Sequence, residues 1–209
     1  MQHFKNLIFD IGDVIVDIDY LTTIAEFQKL SAVDFSQIVS YNKQNHIFDL
    51  FETGKITAQQ FRDKLKQFLK PGTTDEEITH AWNSILIHYP AQKIDLLKEL
   101  KTRYKTFALS NINEIHVVSI NEAAKAKFGA SDFGSFFHHA YYSNEVGFRK
   151  PDKEIYEFVL QKENLNATET FFVDDKAENV EAAKALGINA YQLTDRNKLN
   201  ELLAALNII

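Results

Sequence analysis

Short apolar runs alternate along most of this chain with longer segments in which apolar residues recur every three to four positions. The short runs are rich in β-branched and aromatic residues, as strands are, and the longer segments have the period of an amphipathic helix. The expected strands are residues 5–9, 104–109, 138–142, 169–174 and 188–192. The expected helices are Gln92–Arg103, Glu114–Lys127, Asp152–Asn164, Ala177–Leu186 and Asn197–Leu206. This alternation predicts an α/β fold, a parallel sheet with helices on its faces.

Residues 18–86 interrupt the alternation, because they show helical periodicity without a strand run. The expected helices of this segment are Leu21–Leu30, Phe35–Tyr41, Phe48–Glu52, Ala58–Leu69 and Asp75–Leu86. We therefore expect two domains. Residues 1–17 and 87–209 form the α/β core, and residues 18–86 form a helical cap domain inserted after the first strand.

Composition narrows the class of protein. A chain of 209 residues with 45% apolar residues is long enough for one α/β domain and a small insert. The net charge of −6 argues against nucleic-acid or anionic-membrane partners, which need basic surface. No run approaches the roughly 18 apolar residues of a membrane span, and the first residues show no secretory pattern. The absence of cysteine excludes thiol chemistry and fits a cytoplasmic protein.

Polar residues that can carry chemistry stand just after strands or in loops. Asp10 ends the apolar run 6–9, Ser110 and Asn111 end the run 106–109, and Asp174 belongs to the pair of acids that ends the run 170–173. In an open α/β sheet the carboxyl ends of the strands meet at one edge, where ligands bind. The sequence therefore predicts one site made from several strand ends.

Taken in order, these segments and Gly147-Phe-Arg-Lys-Pro151 resemble the four motifs of the haloacid dehalogenase superfamily. Most of its members are magnesium-dependent phosphatases that use an aspartate nucleophile. The resemblance runs from residue 5 to about residue 195, and residues 18–86 match only in being a helical insert. It implies a Rossmann-like core with a cap.

Asp10 is the expected nucleophile, and its attack on phosphorus would form an aspartyl-phosphate. Asp174 and Asp175 are hard to ionise together unless a cation offsets their repulsion, so we expect Asp10, Asp174 and Asp175 to bind Mg²⁺. The resemblance implies that the Gly12 carbonyl is a further ligand, that Asp175 binds directly and that Asp174 can act through water. The alternative is that the paired acids cap the helix from Ala177.

Ser110 and Asn111 are expected to bind phosphate with the hydroxyl and backbone N–H groups of the turn. The alternative is that they cap the helix that follows, since both residue types are preferred there. Lys150 is expected to neutralise Asp10 and the transferred phosphoryl group, as a catalytic and substrate-binding residue. Its neighbour Arg149 is expected to face solvent or a partner.

Gly12 departs from the common family pattern. Most phosphatases of this superfamily carry a second aspartate there, which protonates the leaving oxygen and then activates water. A subset of bacterial phosphatases that includes α-glucose-1-phosphate phosphatases has glycine at this position, and this chain resembles them. Its rate should depend steeply on the leaving group unless Asp13 or a cap residue supplies the proton.

The cap is expected to select the substrate. The segment 46–56 resembles the cap helix and turn of the sugar-phosphate members. The candidate contacts are Tyr20, His46, Trp82 and Asn83. The competing interpretation makes Trp82 a core residue and His46 or His116 a packing residue, because aromatic faces at helical spacing are usually buried.

The expected function is therefore a magnesium-dependent phosphatase whose partner is a small phosphorylated metabolite such as a sugar phosphate, as a monomer or a dimer. One alternative is a hydrolytic 2-haloacid dehalogenase, which also lacks the second aspartate. The acidic pair argues against it, because that family has small neutral residues there. A second alternative is a binding or regulatory protein that kept the fold and lost turnover.

Overall fold

The computed structural model describes residues 4–34, residue 39 and residues 46–209. The helix expected at Phe35–Tyr41 lies outside these residues apart from position 39. The strands, in chain order, are Asn6–Phe9 (β1), Asp17–Ile18 (β2), Leu86–His88 (β3), Lys105–Ser110 (β4), His139–Tyr142 (β5), Thr170–Asp174 (β6) and Asn189–Gln192 (β7). The helices in the described part are Tyr20–Leu30 (α1), Ile47–Glu52 (α2), Ala58–Lys66 (α3), Asp75–Asn83 (α4), Ala91–Lys101 (α5), Glu114–Phe128 (α6), Ser143–Val146 (α7), Lys153–Lys162 (α8), Ala177–Ala185 (α9) and Leu199–Ala205 (α10). No helix among these residues is long and apolar enough to cross a membrane.

The central sheet has five parallel strands in the order β5-β4-β1-β6-β7. Each strand agrees with its sequence prediction to within one residue at both ends. β1 lies at the centre, between β4 and β6. The chain therefore builds outward from β1 in both directions, which opens a crevice beyond the carboxyl end of β1.

Side chains alternate between the two faces of the sheet, so one strand supplies two apolar layers. Leu7 and Phe9 of β1 pack in one buried cluster with Phe171, whereas Ile8 packs in the other with Phe172. Both faces are covered, which is why these strands are continuous apolar runs in the sequence. The polar residue that ends each run therefore marks the edge of the sheet.

A two-stranded antiparallel sheet, β2 with β3, stands between the core and the helices of the insert. The sequence analysis expected only helices here, and that expectation was wrong. The helix expected at Asp75–Leu86 ends at Asn83, and the chain continues into β3. Strands of two and three residues are too short to show a period in sequence, and their partners are far apart along the chain.

Helices α1 to α4 bury an aromatic cluster of their own, and its members include Phe27, Phe51 and Phe61. Phe51 and Phe61 stack with ring centroids 4.3 Å apart. Ile115, on helix α6 of the core, packs into the same cluster. The helical insert is thus held on the core by apolar contact as well as by the short sheet.

Candidate active site

Asp10 directly follows β1, the central strand. Its backbone N–H donates to the carbonyl of Val173 at 2.9 Å, which extends the pairing of β1 with β6 by one residue. The residue is 7% exposed. The position of the Asp10 carboxylate is therefore set by the sheet and not by a free loop.

The Lys150 ammonium joins the acids of two strands. Its Nζ lies 2.7 Å from Oδ1 of Asp10 and 2.6 Å from Oδ2 of Asp174, and it donates to the carbonyl of Leu109 at 2.7 Å. The side chain is buried, so these partners offset a large desolvation cost. Burial acts to lower the pKa of Lys150, but the two carboxylates outweigh it and raise the pKa above its ordinary value. The ammonium stays charged.

Burial and neighbouring charges affect the three acids differently. Burial raises the pKa of Asp10, although Lys150 opposes the shift. Burial acts in the same direction on Asp174, but Lys150 and the hydrogen-bond donors around Asp174 outweigh it and lower its pKa. Burial and the charges of Asp10 and Asp174 raise the pKa of Asp175 to about 6. Three acids around one buried ammonium leave an excess of negative charge.

A divalent cation fits this excess. Asp10, Asp174 and Asp175 each offer one carboxylate oxygen, and these oxygens lie within 4.8 Å of one another. An oxygen-only donor set is what Mg²⁺ prefers, and a cation would relieve the repulsion that raises the pKa of Asp175. Gly12, whose carbonyl was expected to join these ligands, lines the same small cavity as Asp10 and Asp175.

Asp174 is also tied to the start of helix α9. Its Oδ1 accepts from the backbone N–H of Lys176 at 2.9 Å and from the side chain of Asn179 at 2.8 Å. Neither acid caps the helix, because the N-cap residue is Lys176 and no side chain caps it; Asp174 stabilises the turn that leads into the helix. Asn179 was not singled out in the sequence, where an amide five residues after an acid carries no recognisable signal.

Ser110 ends β4 and Asn111 follows it, and both line the small cavity beside Asp10. The Asn111 side chain holds the backbone of Lys150 from both sides, since its Oδ1 accepts from the Lys150 N–H and its Nδ2 donates to the Lys150 carbonyl, each at 2.8 Å. The amide of Asn111 thus positions Lys150. The cap of helix α6 is neither residue but Asn113, which accepts from the backbone N–H of His116 at 3.1 Å.

Two adjoining cavities open between the core and the helical insert. The smaller, of about 60 Å³, lies over the charged cluster and is lined by Asp10, Ser110, Lys150 and Asp175 among others. The larger, of about 160 Å³, continues from it toward Trp82 and is mostly apolar. Both are lined by Gly12, Ile18, Tyr20, Ser110 and Asn111. This geometry fits a phosphoryl group in the smaller cavity and a leaving group in the larger one.

Asp13 is not placed to replace the second aspartate that most phosphatases of the superfamily have at the position of Gly12. It adopts a left-handed conformation with φ of 54°. Its Oδ1 lies 3.0 Å from Nη1 of Arg196 and accepts from the backbone N–H of Ile18 at 3.2 Å. These contacts hold the carboxylate, and Asp13 lines neither cavity.

The candidate contacts of the cap separate into two groups. Tyr20 and Trp82 line the larger cavity, whereas His46 lies in an outer groove and pairs with Asp49 at 3.2 Å. Asn83 does not line either cavity. Trp82 is also a packing residue, since it stacks on His116 with ring centroids 5.4 Å apart.

Arg149 faces the helical insert, which corrects the expectation that it faces solvent or a partner. Its Nη1 pairs with Asp49 and its Nη2 lies 3.0 Å from Oε2 of Glu52, both on helix α2. Glu52 in turn lines the larger cavity. The sequence analysis missed Glu52, although it lies inside the segment 46–56 that resembled the cap turn. Lys176, which lines the smaller cavity, was also missed.

Comparison with known proteins identifies a family and several relatives. The family model of the haloacid dehalogenase-like hydrolases matches residues 4–187. A D-ribitol-5-phosphate phosphatase of Bacteroides thetaiotaomicron is 31% identical over 188 residues, 90% of this chain and 91% of the relative. A sesquiterpene phosphatase of Aspergillus oryzae is 31% identical over 193 residues, 92% of this chain and 91% of the relative. The crystal structure of a haloacid dehalogenase family enzyme of Bacteroides thetaiotaomicron, in complex with magnesium and inorganic phosphate, aligns with a TM-score of 0.81 at 34% identity and covers 90% of this chain and 93% of that chain.

Proposed function

We propose that this chain, which belongs to the haloacid dehalogenase-like hydrolases, is a magnesium-dependent phosphatase acting on a small phosphomonoester of the sugar-phosphate class. The observation that carries the proposal is the Lys150 ammonium, buried between Asp10 and Asp174 with Asp175 beside them. Such a cluster is suited to bind phosphate, because the charge of phosphate must be neutralised before an anionic nucleophile can approach it. In this proposal residues 18–86 form the cap.

Asp10, Asp174 and Asp175 would hold the metal, together with the Gly12 carbonyl, and Mg²⁺ would supply the positive charge that draws a phosphate oxygen to the acids. The magnesium and phosphate complex of the Bacteroides relative supports this assignment.

The residues of the chain divide the remaining work. The Asp10 carboxylate attacks phosphorus and forms an aspartyl-phosphate, which water then hydrolyses. Lys150 balances the charge of Asp10 and of the transferred oxygens, and Ser110 offers its hydroxyl at the wall of the smaller cavity. Asn111 acts at one remove, because it fixes the backbone of Lys150.

The larger cavity is the place for the part of the leaving group next to phosphorus. Its volume of about 160 Å³ is close to that of an engineered protein cavity that holds benzene, so a group of roughly six non-hydrogen atoms fits. The name of the D-ribitol-5-phosphate phosphatase supports a sugar phosphate as the substrate, and a whole ribitol group, like a sesquiterpene alcohol, would extend beyond this cavity. An α-glucose-1-phosphate specificity stays a proposal that rests on Gly12.

The two alternatives make different demands on the site. A dehalogenase has no phosphate charge to neutralise, so it has no need of the acids at 174 and 175. A binding or regulatory protein would keep the charged cluster and show no turnover. The charged cluster itself favours an enzyme that handles phosphate.

The test is a panel of phosphomonoesters assayed with Mg²⁺, after chelation and after Mg²⁺ is restored. We expect hydrolysis of small sugar phosphates only with the metal, and inhibition by Ca²⁺, whose larger and looser shell misplaces nucleophile and phosphate. Release of halide from 2-haloacids after exhaustive chelation would establish the dehalogenase. Mg²⁺ and phosphate binding without turnover on any ester would establish the binding protein.

A further inference from the structure

The proposed phosphatase needs a proton donor that its core does not supply. The leaving oxygen must be protonated in the first step, and water must lose a proton in the second. Gly12 has no side chain, and the Asp13 carboxylate is held by Arg196 and the backbone of Ile18. Asp175 and Lys176 line only the smaller cavity, so a donor to the leaving oxygen should line the larger cavity, where the leaving group would lie.

Among the residues that the structure describes, Glu52 is the one carboxylate that lines this cavity. His116 also lines it, but both of its ring nitrogens are engaged: Nδ1 with the side-chain amide of Asn113 at 3.0 Å, and Nε2 with the carbonyl of Trp82 at 3.0 Å. Burial lowers the pKa of His116 to about 4, so it stays neutral near pH 7. Tyr20 lines both cavities, but burial raises the pKa of its phenol above the ordinary value, which makes it a weaker acid.

The backbone of Glu52 is fixed against the core. Ser143, which follows β5, donates its hydroxyl to the Glu52 carbonyl at 2.5 Å. Two residues later the chain turns at Gly54, with φ of 66°, where a Cβ atom would lie 2.1 Å from the carbonyl oxygen of Asn144. This close approach fixes the end of helix α2 against the segment that follows β5.

The side chain of Glu52 is oriented by Arg149. Its Oε2 is buried and forms an ion pair with Nη2 of Arg149 at 3.0 Å, so Arg149 holds one oxygen of the carboxyl group. Burial raises the pKa of Glu52 above its ordinary value, while the charges of Arg149, Lys176 and Lys150 oppose the shift and that of Asp49 adds to it. A carboxyl group with a raised pKa holds a proton more readily than an ordinary carboxyl group, as a general acid must, and its ionised form can accept a proton as a base.

On the basis of the proposed phosphatase function, we infer that Glu52 of the cap is the general acid and base. In the first step an Asp10 oxygen bonds to phosphorus and the bond from phosphorus to the leaving oxygen breaks. The leaving oxygen keeps the electron pair of that bond and takes the proton from Glu52. In the second step water bonds to phosphorus, the bond to Asp10 breaks, and Glu52 takes the water proton. Phosphate leaves, and both carboxyl groups return to their starting state.

The test compares two esters of similar size, 4-nitrophenyl phosphate and benzyl phosphate, with the Mg²⁺-loaded enzyme. The nitrophenolate needs no proton to leave, whereas the benzyl oxygen does. Glu52→Gln should lower kcat/KM for benzyl phosphate by ~10²–10⁴, the range of acid–base catalysis, and change the first step with the aryl ester little. The second step still needs a base, so the variant should release one equivalent of nitrophenolate per enzyme in a burst and then turn over slowly.

Asp49→Asn is the matched control, because Asp49 lies on the same helix and pairs with the same Arg149 but lines the outer groove. It should leave the ratio of kcat/KM for the two esters within about fivefold of the wild type, as expected for a partly exposed ion pair. Glu52→Asp keeps the charge opposite Arg149 and retracts the carboxyl group by one methylene. It should shift the ratio in the same direction as Glu52→Gln, by less.

Three results would overturn the inference. Glu52→Gln could keep the wild-type ester ratio and show no burst, or Asp49→Asn could shift the ratio equally, which would make Glu52 only a partner of Arg149. A selective loss on benzyl phosphate in Tyr20→Phe, with none in Glu52→Gln, would transfer the role to Tyr20. A wild-type enzyme without metal-dependent activity on either ester would instead refute the proposed function itself.

Discussion

The two sides of the cleft hold their functional groups by different physical means. On the core side, Asp10 and Asp174 stand at the ends of paired strands and share the buried ammonium of Lys150. On the cap side, Glu52 lies at the end of a six-residue helix that is held by aromatic packing, a hydroxyl contact and Arg149. The core side is fixed by backbone hydrogen bonds and the cap side by side chains.

This difference predicts how each side responds to change. A buried charge that loses its partner costs several kcal/mol, because nothing else in the core can solvate it. A partly exposed ion pair costs much less, because water replaces the partner. Substitutions on the core side should therefore abolish chemistry or stability, whereas those on the cap side should change which esters are cleaved.

Asp10→Asn should have the largest effect on activity. The amide keeps the shape of the carboxylate and removes the attacking charge, so we expect kcat to fall at least ~10³-fold, about 4 kcal/mol of barrier. Steady-state kinetics with thermal unfolding measures this. Asp13→Asn is the control, since its carboxylate pairs with Arg196 outside the cavities and should change kcat little. A loss of less than about tenfold in Asp10→Asn would mean that Asp10 is not the nucleophile.

Substitution of Asp174 should mainly lower stability, whereas substitution of Asp175 should mainly abolish metal binding. Asp174→Ala removes a carboxylate that binds Lys150, Asn179 and the start of helix α9, so the free energy of unfolding should fall by about 3–5 kcal/mol. Asp175→Ala removes an acid whose pKa is raised by its neighbours, so it should leave stability unchanged or higher and abolish Mg²⁺ binding. Urea unfolding and Mg²⁺ titration distinguish the two. Equal losses of stability would contradict the division of roles read from their contacts.

The contact between cap and core should weaken in acid. The pKa of His116 is lowered from 6.5 to about 4 by burial, so between these values the unfolded chain binds a proton that the folded chain does not. Its contribution to stability is complete above pH 6.5 and is lost as the pH falls toward 4, by up to about 3 kcal/mol. Urea unfolding at several pH values in this range should show that the free energy of unfolding falls more steeply with decreasing pH in the wild type than in His116→Gln. An equal dependence on pH in both proteins would show that His116 binds a proton as readily in the folded chain as in the unfolded chain.

Gly12→Asp should have the smallest effect of these variants, and it tests whether a proton donor on the core side can replace one on the cap side. Gly12 is not at a positive φ, and an added Cβ would lie 3.2 Å from Cδ1 of Ile18, the flexible end of a side chain. The variant should therefore fold and present an acid from the core side. In the Glu52→Gln background it should restore kcat/KM for benzyl phosphate by about tenfold, a gain of ~1.4 kcal/mol. No recovery in a folded double variant would mean that the cleft admits a proton donor from the cap side alone.

The core side could be predicted from the sequence better than the cap side. The five strands of the main sheet and the acids that end them could be predicted, because an apolar run and the polar residue after it are adjacent in the chain. The grouping of Asp10, Asp174 and Asp175 followed from the rule that parallel strand ends meet at one edge. The pairing of β2 with β3 could not be predicted, since each strand is too short to carry a period.

The roles of single side chains depended on contacts between distant parts of the chain. The prediction that Asn111 binds phosphate gave no sign that its side-chain amide would also hold the backbone of Lys150, 39 residues away. Arg149 was expected to face solvent or a partner, but it pairs with Glu52 on a helix nearly a hundred residues earlier. The sequence by itself determined the fold class and which polar residues meet at the strand ends, because local periodicity and strand ends encode them. Only the tertiary structure decided which hydrogen bonds each polar group makes and that the cavity carboxylate comes from the cap, because those choices are made by packing between segments that no local pattern relates.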